Sequence, residues 1–316
     1  MVIQRNAYLN KLIDKQRNGL IKVITGIRRC GKTYLLFNLF HDYLLRSGVP
    51  KSRIIGIALD DRSNKRLRDP DHMLEYVKGR IEDDQTYYIL LKVYLSDIVD
   101  RHKIRNKGEL DELVNVLSSA IGSLTNPSKL ARTFKSVKNK TISDKTLNTY
   151  IGYLIDAFLI SKAVRFDIKG KKYIGSPAKY YFEDVGLRNA RLNFRQTEEN
   201  HLMENIVYNE LRARGYRVDV GVVEHCAAND DGKREKRRLE VDFVATKGSQ
   251  KYYVQSAFSM SDPDKIRQEE RPLLRIGDSF QKIIVARANI KARRNEDGIV
   301  TIGIRDFLLE ENSLRF

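Results

Sequence analysis

Tryptophan is absent from the 316-residue chain, and cysteine nearly so, with two residues, Cys30 and Cys226. Two cysteines are too few for a disulfide framework or a cysteine-built zinc site. His225 and Cys226 have no partners at metal-ligand spacing. Cys30 stands among glycines, where a free thiol fits a reducing compartment, so a cytoplasmic protein is expected. No apolar run approaches the roughly 20 residues of a membrane span, and the opening "MVIQRNAYLN" has no signal-peptide core. An excess of acid is also missing, since the formal net charge is +17. The surplus is uneven: +7 over 1–91, +10 over 92–195 and zero over 196–316. A basic surface attracts polyanions, nucleic acid above all; a merely solvated lysine-rich face is the alternative.

What is present first is "VITGIRRCGKTYLLFNLF", residues 23–40. Ile21–Thr25 reads as a buried strand, and Leu35, Leu36, Leu39, Phe40, Tyr43 and Leu44 recur at helical spacing. Ser47-Gly48-Val49-Pro50 stops that helix. The pattern G-x-x-x-x-G-K-T thus lies between a strand and a helix, the context in which it grips nucleotide phosphates. Gly26 and Gly31 let backbone amides turn toward phosphate oxygens, and the helix N-terminus adds partial positive charge. Lys32 reaches the β and γ phosphates, and the Thr33 hydroxyl ligates magnesium. Arg28 and Arg29 read as solvated. A second strand over 53–59 ends in Asp60-Asp61, a helix follows through Met73, Tyr76, Val77 and Ile81, and Tyr87–Leu91 forms a third strand. This is a parallel βαβαβ order.

Hydrolysis by such a loop needs an acid at the end of a neighbouring strand, to hold the metal. After "TYYILL" stand Lys92, Val93 and Tyr94, and the first acid is Asp97. Asp60 or Asp61 could substitute, or could simply be solvated carboxylates at a strand end. Here the chain resembles prokaryotic AAA-type ATPases that carry a C-terminal domain of unknown function. The resemblance lies in "VITGIRRCGKTYLL", "IIGIALDDRSNKRLRDP", "YLSDIVDRHKIRNKGEL", "SLTNPSKLARTFKS", "YYFEDVGLRNARLNFRQ", "HLMENIVYNELRARGY", "LEVDFVA" and "YYVQSAF". It implies that Gly26, Gly31, Lys32 and Thr33 bind ATP and Mg2+. It also implies that the acidic pair, the sensor strand and any arginine finger are lost where Leu91 joins Lys92. Weak ATP binding without turnover is therefore expected. The truncated sheet leaves an open edge that a partner protein or a second copy could cover.

In the middle, Leu110, Leu113, Val114, Leu117 and Ile121 make a helical face. Pro127 starts a second helix and Ser143 caps a third. "KAVRFDIKGKKYIGSPAKYYF" reads as a hairpin with Gly170 near its tip. Helices followed by such a hairpin predict a winged helix. Lys145, Asn148 and Thr149 then face outward on the last helix, and Lys169, Lys171 and Lys172 lie on the wing. Double-stranded DNA or a protein partner both fit, because fold does not fix function.

In the neutral tail, 201–215 reads as an amphipathic helix carrying Glu204, followed by a strand over 216–223 and two more joined near Gly248. The order resembles restriction nucleases, in which carboxylates hold magnesium and a lysine steadies the attacking water. Glu204 and Asp242 stand in place, but Gln255 replaces an acid and Ala257 the lysine, so a binding or scaffolding role is expected. Glu240 reads as solvent-facing, on the same strand face as Asp242. The run "DDGKREKRRLE" (230–240) reads as a solvated hairpin loop, or else as a loop gripping phosphate. The sequence thus predicts an α/β protein of three domains: a shortened P-loop AAA-type unit (1–91), a winged helix (92–195) and a nuclease-like α/β C-terminal domain (196–316). The expected function is ATP binding without hydrolysis, together with a DNA- or protein-binding surface. An active ATPase with a substitute acid and a nucleotide-free scaffold are the alternatives.

Overall fold

In the computed structural model, the residues described are 6–18, 24, 31–59, 61–81, 83, 86–91, 102, 104, 106–138, 141–195, 198–228, 234–260 and 262–315. The chain is mixed α/β and divides into two compact units, Met1–Arg105 and Asn106–Phe316.

In the first unit, helix α1 (Asn6–Asp14) is followed by a helix that starts as α2 (Lys32–Tyr34), widens into a π-helical turn (Leu35–Phe40) and resumes as α3 (His41–Arg46). Leu35, Phe40 and Leu44 bury one face of it, and Phe40 and Leu44 pack with Ile89. Strand β1 (Ile54–Ala58) pairs in parallel with β2 (Tyr87–Leu91). A 3-10 segment (Arg62–Arg68) and helix α4 (Pro70–Lys78) connect them. Asp69 caps α4 by accepting from the amides of Asp71 and His72, which satisfies two of the helix's open N–H groups. The parallel pair across a helix is the expected βαβ order. Of the strand expected at 21–25, only Ile24 is among the described residues.

The second unit opens with three helices, α5 (Lys107–Ser119), α6 (Pro127–Lys138) and α7 (Asp144–Asp156). The Ser143 hydroxyl accepts from the Thr146 amide at 3.0 Å, so the cap falls where the sequence puts it. Hairpin β3 (Ile160–Asp167) and β4 (Lys172–Phe182) follows. Then come α8 (Val185–Arg191), α9 (Glu199–Ala213), β5 (Arg217–Ala228), β6 (Arg234–Lys247), β7 (Gln250–Ala257), α10 (Pro263–Leu274), β8 (Gln281–Ala286), β9 (Arg293–Arg294), β10 (Val300–Gly303) and α11 (Ile304–Leu309).

The strands form one mixed eight-stranded sheet in the order β4-β3-β5-β6-β7-β8-β10-β9. The hairpin expected as a wing is therefore part of the same sheet as the tail, through parallel pairing of β3 with β5. The boundary expected at 195/196 falls between α8 and α9, inside this unit. One apolar cluster joins Val207, Tyr208 and Leu211 of α9 to Phe243, Val254 and Val285 of the sheet. A second joins Leu273 of α10 to Val241, Val244 and Ile284. The run 230–240 is corrected in part: Arg234–Glu240 belong to β6, while 230–233 lie outside the described residues.

Two irregularities place side chains. Asp219 pairs with Val244 but Gly221 with Val241, so Asp242 and Phe243 both oppose Val220 in a β-bulge. In the hairpin, Ala163 pairs with Lys179 and Arg165 with Ile174. Part of the intervening stretch of β4 is taken up by Thr125, which exchanges backbone bonds of 2.8 and 2.9 Å with Ala178.

Candidate functional site

Next to that bridge, Lys179 is only 4% exposed. A lysine is almost never buried so fully unless its charge is met. Its Nζ stands 2.8 Å from Glu204 Oε1 on α9, 2.7 Å from Glu240 Oε1 and 3.9 Å from Asp242 Oδ1, both on β6. Glu204 arrives there because Met203, Val207 and Leu211 bury α9 against the sheet and carry it inward. The bulge delivers Asp242. Tyr181, also on β4, donates to Glu204 Oε1 at 2.6 Å and stacks on Tyr208 with ring centroids 4.2 Å apart. The Ser256 amide donates to Asp242 Oδ2 at 2.8 Å. His201 Nδ1 lies 3.7 Å from Glu204 Oε2, too far for a hydrogen bond.

The electrostatics follow from burial and proximity. Burial, then the neighbouring Glu204, push the Asp242 carboxyl up to about 8. Burial acts on Glu204 in the same sense, but the Lys179 ammonium and its hydrogen-bond donors outweigh it and hold this carboxyl below the usual range. For Lys179, burial is overcome by Glu204, Asp242 and Glu240, which keep it protonated well above the ordinary lysine range. The cluster is thus a buried cation enclosed by acids, with one acid held near neutrality.

In the first unit, Gly31 adopts φ 84°, a left-handed conformation that glycine takes without strain, immediately before Lys32 begins the helix. Lys32 and Thr33 therefore sit in the first turn, where open N–H groups favour anions. Gly26, Cys30, Arg28, Arg29, Asp60 and the stretch from Lys92 to Asp97 lie outside the described residues. Asp61 is exposed and accepts from the Ser63 amide at 2.9 Å. That hydrogen bond lowers its carboxyl below the usual range. It caps the 3-10 segment.

Residues 38–198 match a family described as "Domain of unknown function (DUF8612)". An uncharacterized protein of Haemophilus influenzae is 34% identical over 415 residues, covering 98% of this chain and 99% of that protein. The chain belongs to the DUF8612 family. A second relative of this DUF8612 chain, uncharacterized protein MJ1544 of Methanocaldococcus jannaschii, is 28% identical over 73% of the chain and 50% of its own length. Among solved structures, protein VC1899 of Vibrio cholerae aligns over 91% of the DUF8612 chain and 81% of its own, at 13% identity and a TM-score of 0.26. The family match contains Lys179 and leaves out Gly31, Lys32 and Thr33 as well as Glu204, Glu240 and Asp242.

Of the residues named from the DUF8612 sequence, Glu204 and Asp242 do meet, around Lys179. Gln255 is turned elsewhere: its Oε1 accepts from the Asp242 amide at 3.3 Å and its Nε2 donates to Glu269 of α10 at 3.0 Å. Ala257 is buried in the core beneath α10. Glu240 is corrected: although its side chain keeps 35% of its exposure, it is bound to the ammonium rather than facing solvent alone. Lys145, Asn148 and Thr149 are exposed on α7, as are Lys169, Lys171 and Lys172 at the hairpin tip. Lys169 Nζ donates to the Glu224 carbonyl at 3.0 Å. Lys179 is the residue the sequence reading missed. Its signal was a single charge in "PAKYYF", a run otherwise able to fill a buried strand. Among the described residues no helix is long and apolar enough to cross a membrane, and no three His, Cys, Asp or Glu side chains are placed to hold a metal ion.

Proposed function

We propose that the chain is an AAA-type ATP-binding protein that holds nucleotide without turning it over. In this reading the second unit is a winged-helix segment built onto a nuclease-like scaffold, and it engages duplex DNA. The observation that carries the proposal is Gly31 at φ 84° directly ahead of Lys32 and Thr33 in the first helical turn, within a complete G-x-x-x-x-G-K-T pattern. The residues available fit ATP and magnesium in part. Lys32 supplies the phosphate cation and Thr33 a hydroxyl for the metal, and magnesium bound there neutralises phosphate charge. The alignment with the Haemophilus protein runs over 415 residues, more than the 316 of this chain, so part of that relative faces gaps here. Asp61 accepts from the Ser63 amide and caps the 3-10 segment, which favours reading it as a structural carboxylate rather than as a substitute acid.

Calorimetry of the full chain with ATP and Mg2+, beside a phosphate-release assay, tests this. Weak binding lost in Lys32→Ala, with no phosphate released, is expected. Release abolished by Lys32→Ala overturns the non-hydrolysing part, and absence of binding overturns the nucleotide part.

DNA is favoured over a protein partner by the exposed Lys145, Lys169, Lys171 and Lys172 in the most basic third of the chain. Because the hairpin shares its sheet with the tail, the full chain is the proper sample. Replacing the four lysines by glutamine is expected to weaken binding to a fluorescent duplex and to flatten its salt dependence by about 3 to 4 in log–log slope. Unchanged binding turns the proposal toward protein docking.

A further inference from the structure

We propose that the paired ends of β5 and β6 form an arm that enters the major groove of duplex DNA and places Lys236 and Arg238 there. The proposal rests on the DNA reading above and adds a contact which that reading lacks. It is independent of the nucleotide reading.

The run "REKRR", Arg234–Arg238, sets four basic residues against one acid on a single strand. Among the described residues, β3 pairs with β5 only from Val220 to Val222, and β7 pairs with β6 only from Phe243 onward. From Glu224↔Arg238 to Ala228↔Arg234 the two strands have only each other as strand partners. They therefore run on past their neighbours as a two-stranded ribbon of five residue pairs, about 17 Å at the usual rise per residue. The open edges of such a ribbon invite pairing with other chains, and charged side chains prevent it. Charges of either sign would do so, and edge protection alone does not account for the excess of base over acid. Lys236 is exposed, and the Arg238 side chain keeps 60% of its exposure. Arg238 Nε donates to Glu224 Oε1 at 2.9 Å, and Nη2 stands 2.9 Å from the same oxygen. One oxygen thus takes one edge of a guanidinium that carries five N–H donors, leaving others for an acceptor outside the protein. Glu224 also ties the ribbon to the hairpin tip, since its carbonyl accepts from Lys169 Nζ at 3.0 Å. The ribbon therefore continues the basic surface on which the exposed Lys171 and Lys172 lie. Paired strands stand about 4.8 Å apart. A major groove about 12 Å wide admits two of them with their side chains, whereas a minor groove about 6 Å wide is too narrow.

The test uses the full chain and a short fluorescent duplex, without nucleotide. Lys236→Gln/Arg238→Gln is expected to weaken binding about tenfold and to lower the log–log salt slope by about 2. Lys236→Gln alone, which leaves the Arg238–Glu224 pair in place, is expected to lower the slope by about 1, so the proposal stays falsifiable should the double variant fold poorly. At saturation, wild type is expected to shield guanine N7, in the major groove, from methylation by dimethyl sulfate and to leave adenine N3, in the minor groove, reactive. Lys236→Gln/Arg238→Gln is expected to lose that shielding. Shielding of N3 in place of N7 overturns the proposal. Affinity that falls when the four lysines at 145, 169, 171 and 172 are replaced, but is unchanged in the two ribbon variants, overturns the arm and leaves the DNA reading standing. A wild-type chain that binds no duplex overturns both.

Discussion

Asp242 and Tyr181 show how single atoms set the behaviour of the buried cluster. A carboxyl pushed up to about 8 in the folded chain and ordinary when unfolded keeps its proton longer in the native state. Folding then binds a proton between about pH 4 and 8, so stability falls as pH rises through that window. Glu204 works the other way, contributing stability above its ordinary range that is lost on acidification. Lys179, raised, contributes stability lost only in strong alkali. Urea denaturation of wild type and Asp242→Asn between pH 5 and 9 is expected to show wild type losing stability toward pH 9, and the variant losing less. A parallel profile in both contradicts this. Tyr181→Phe keeps the ring stacked on Tyr208 and deletes the donor to Glu204. It is expected to cost about 1–3 kcal/mol in the same measurement, the range for a buried bond to a charged group.

At the scale of elements, the bulge in β6 and the irregular β4 matter more than strand lengths. Gly221 follows Val220, the residue opposite the bulge, and a Cβ there would meet Val241 Cβ at 2.9 Å and Ile168 Cδ1 and Val244 Cγ2 at 3.0 Å. Gly221→Ala is therefore expected to destabilise the unit by about 1–3 kcal/mol through overpacking, read by thermal melting. At the other extreme, Ser143→Ala removes only the cap of α7 and is expected to cost about 1 kcal/mol. Legibility in the sequence follows the same division. The Ser143 cap, the turn at Gly248, the hairpin around Gly170 and the amphipathic α9 all rest on short-range chemistry, and each is found at or near its expected place. The pairing of Lys179 with acids on α9 and β6 depends on sheet order and on two irregularities that no local period encodes. Glu240 was placed on the correct strand and on the face of Asp242, but read as solvent-facing, since its partner Lys179 comes from a strand three places away in the sheet.

At the scale of the whole molecule, the sheet of the second unit gathers segments that composition separates. The +10 stretch and the neutral tail share eight strands, because charge balance reports surface and partner rather than domain limits. Asn205 of α9 both accepts from the Phe182 amide and donates to the Phe182 carbonyl, each at 2.8 Å, and Asn209 also donates to that carbonyl. A fragment of residues 106–316 is accordingly expected to melt cooperatively on its own. A fragment of 196–316, stripped of β3, β4 and Lys179, is expected to lack a cooperative transition by calorimetry. Cooperative melting of the shorter piece would show that the hairpin is dispensable.

The amide of Asn205 acts as a clasp at the outer margin of the sheet, gripping the last residue of β4 from both sides. Deuterium uptake at the Phe182 backbone should therefore report on the grip of α9 rather than on the hairpin alone. Loosening that clasp by Asn205→Ala should speed exchange along the terminal half of β4 while leaving the β8–β10 end of the sheet as protected as before.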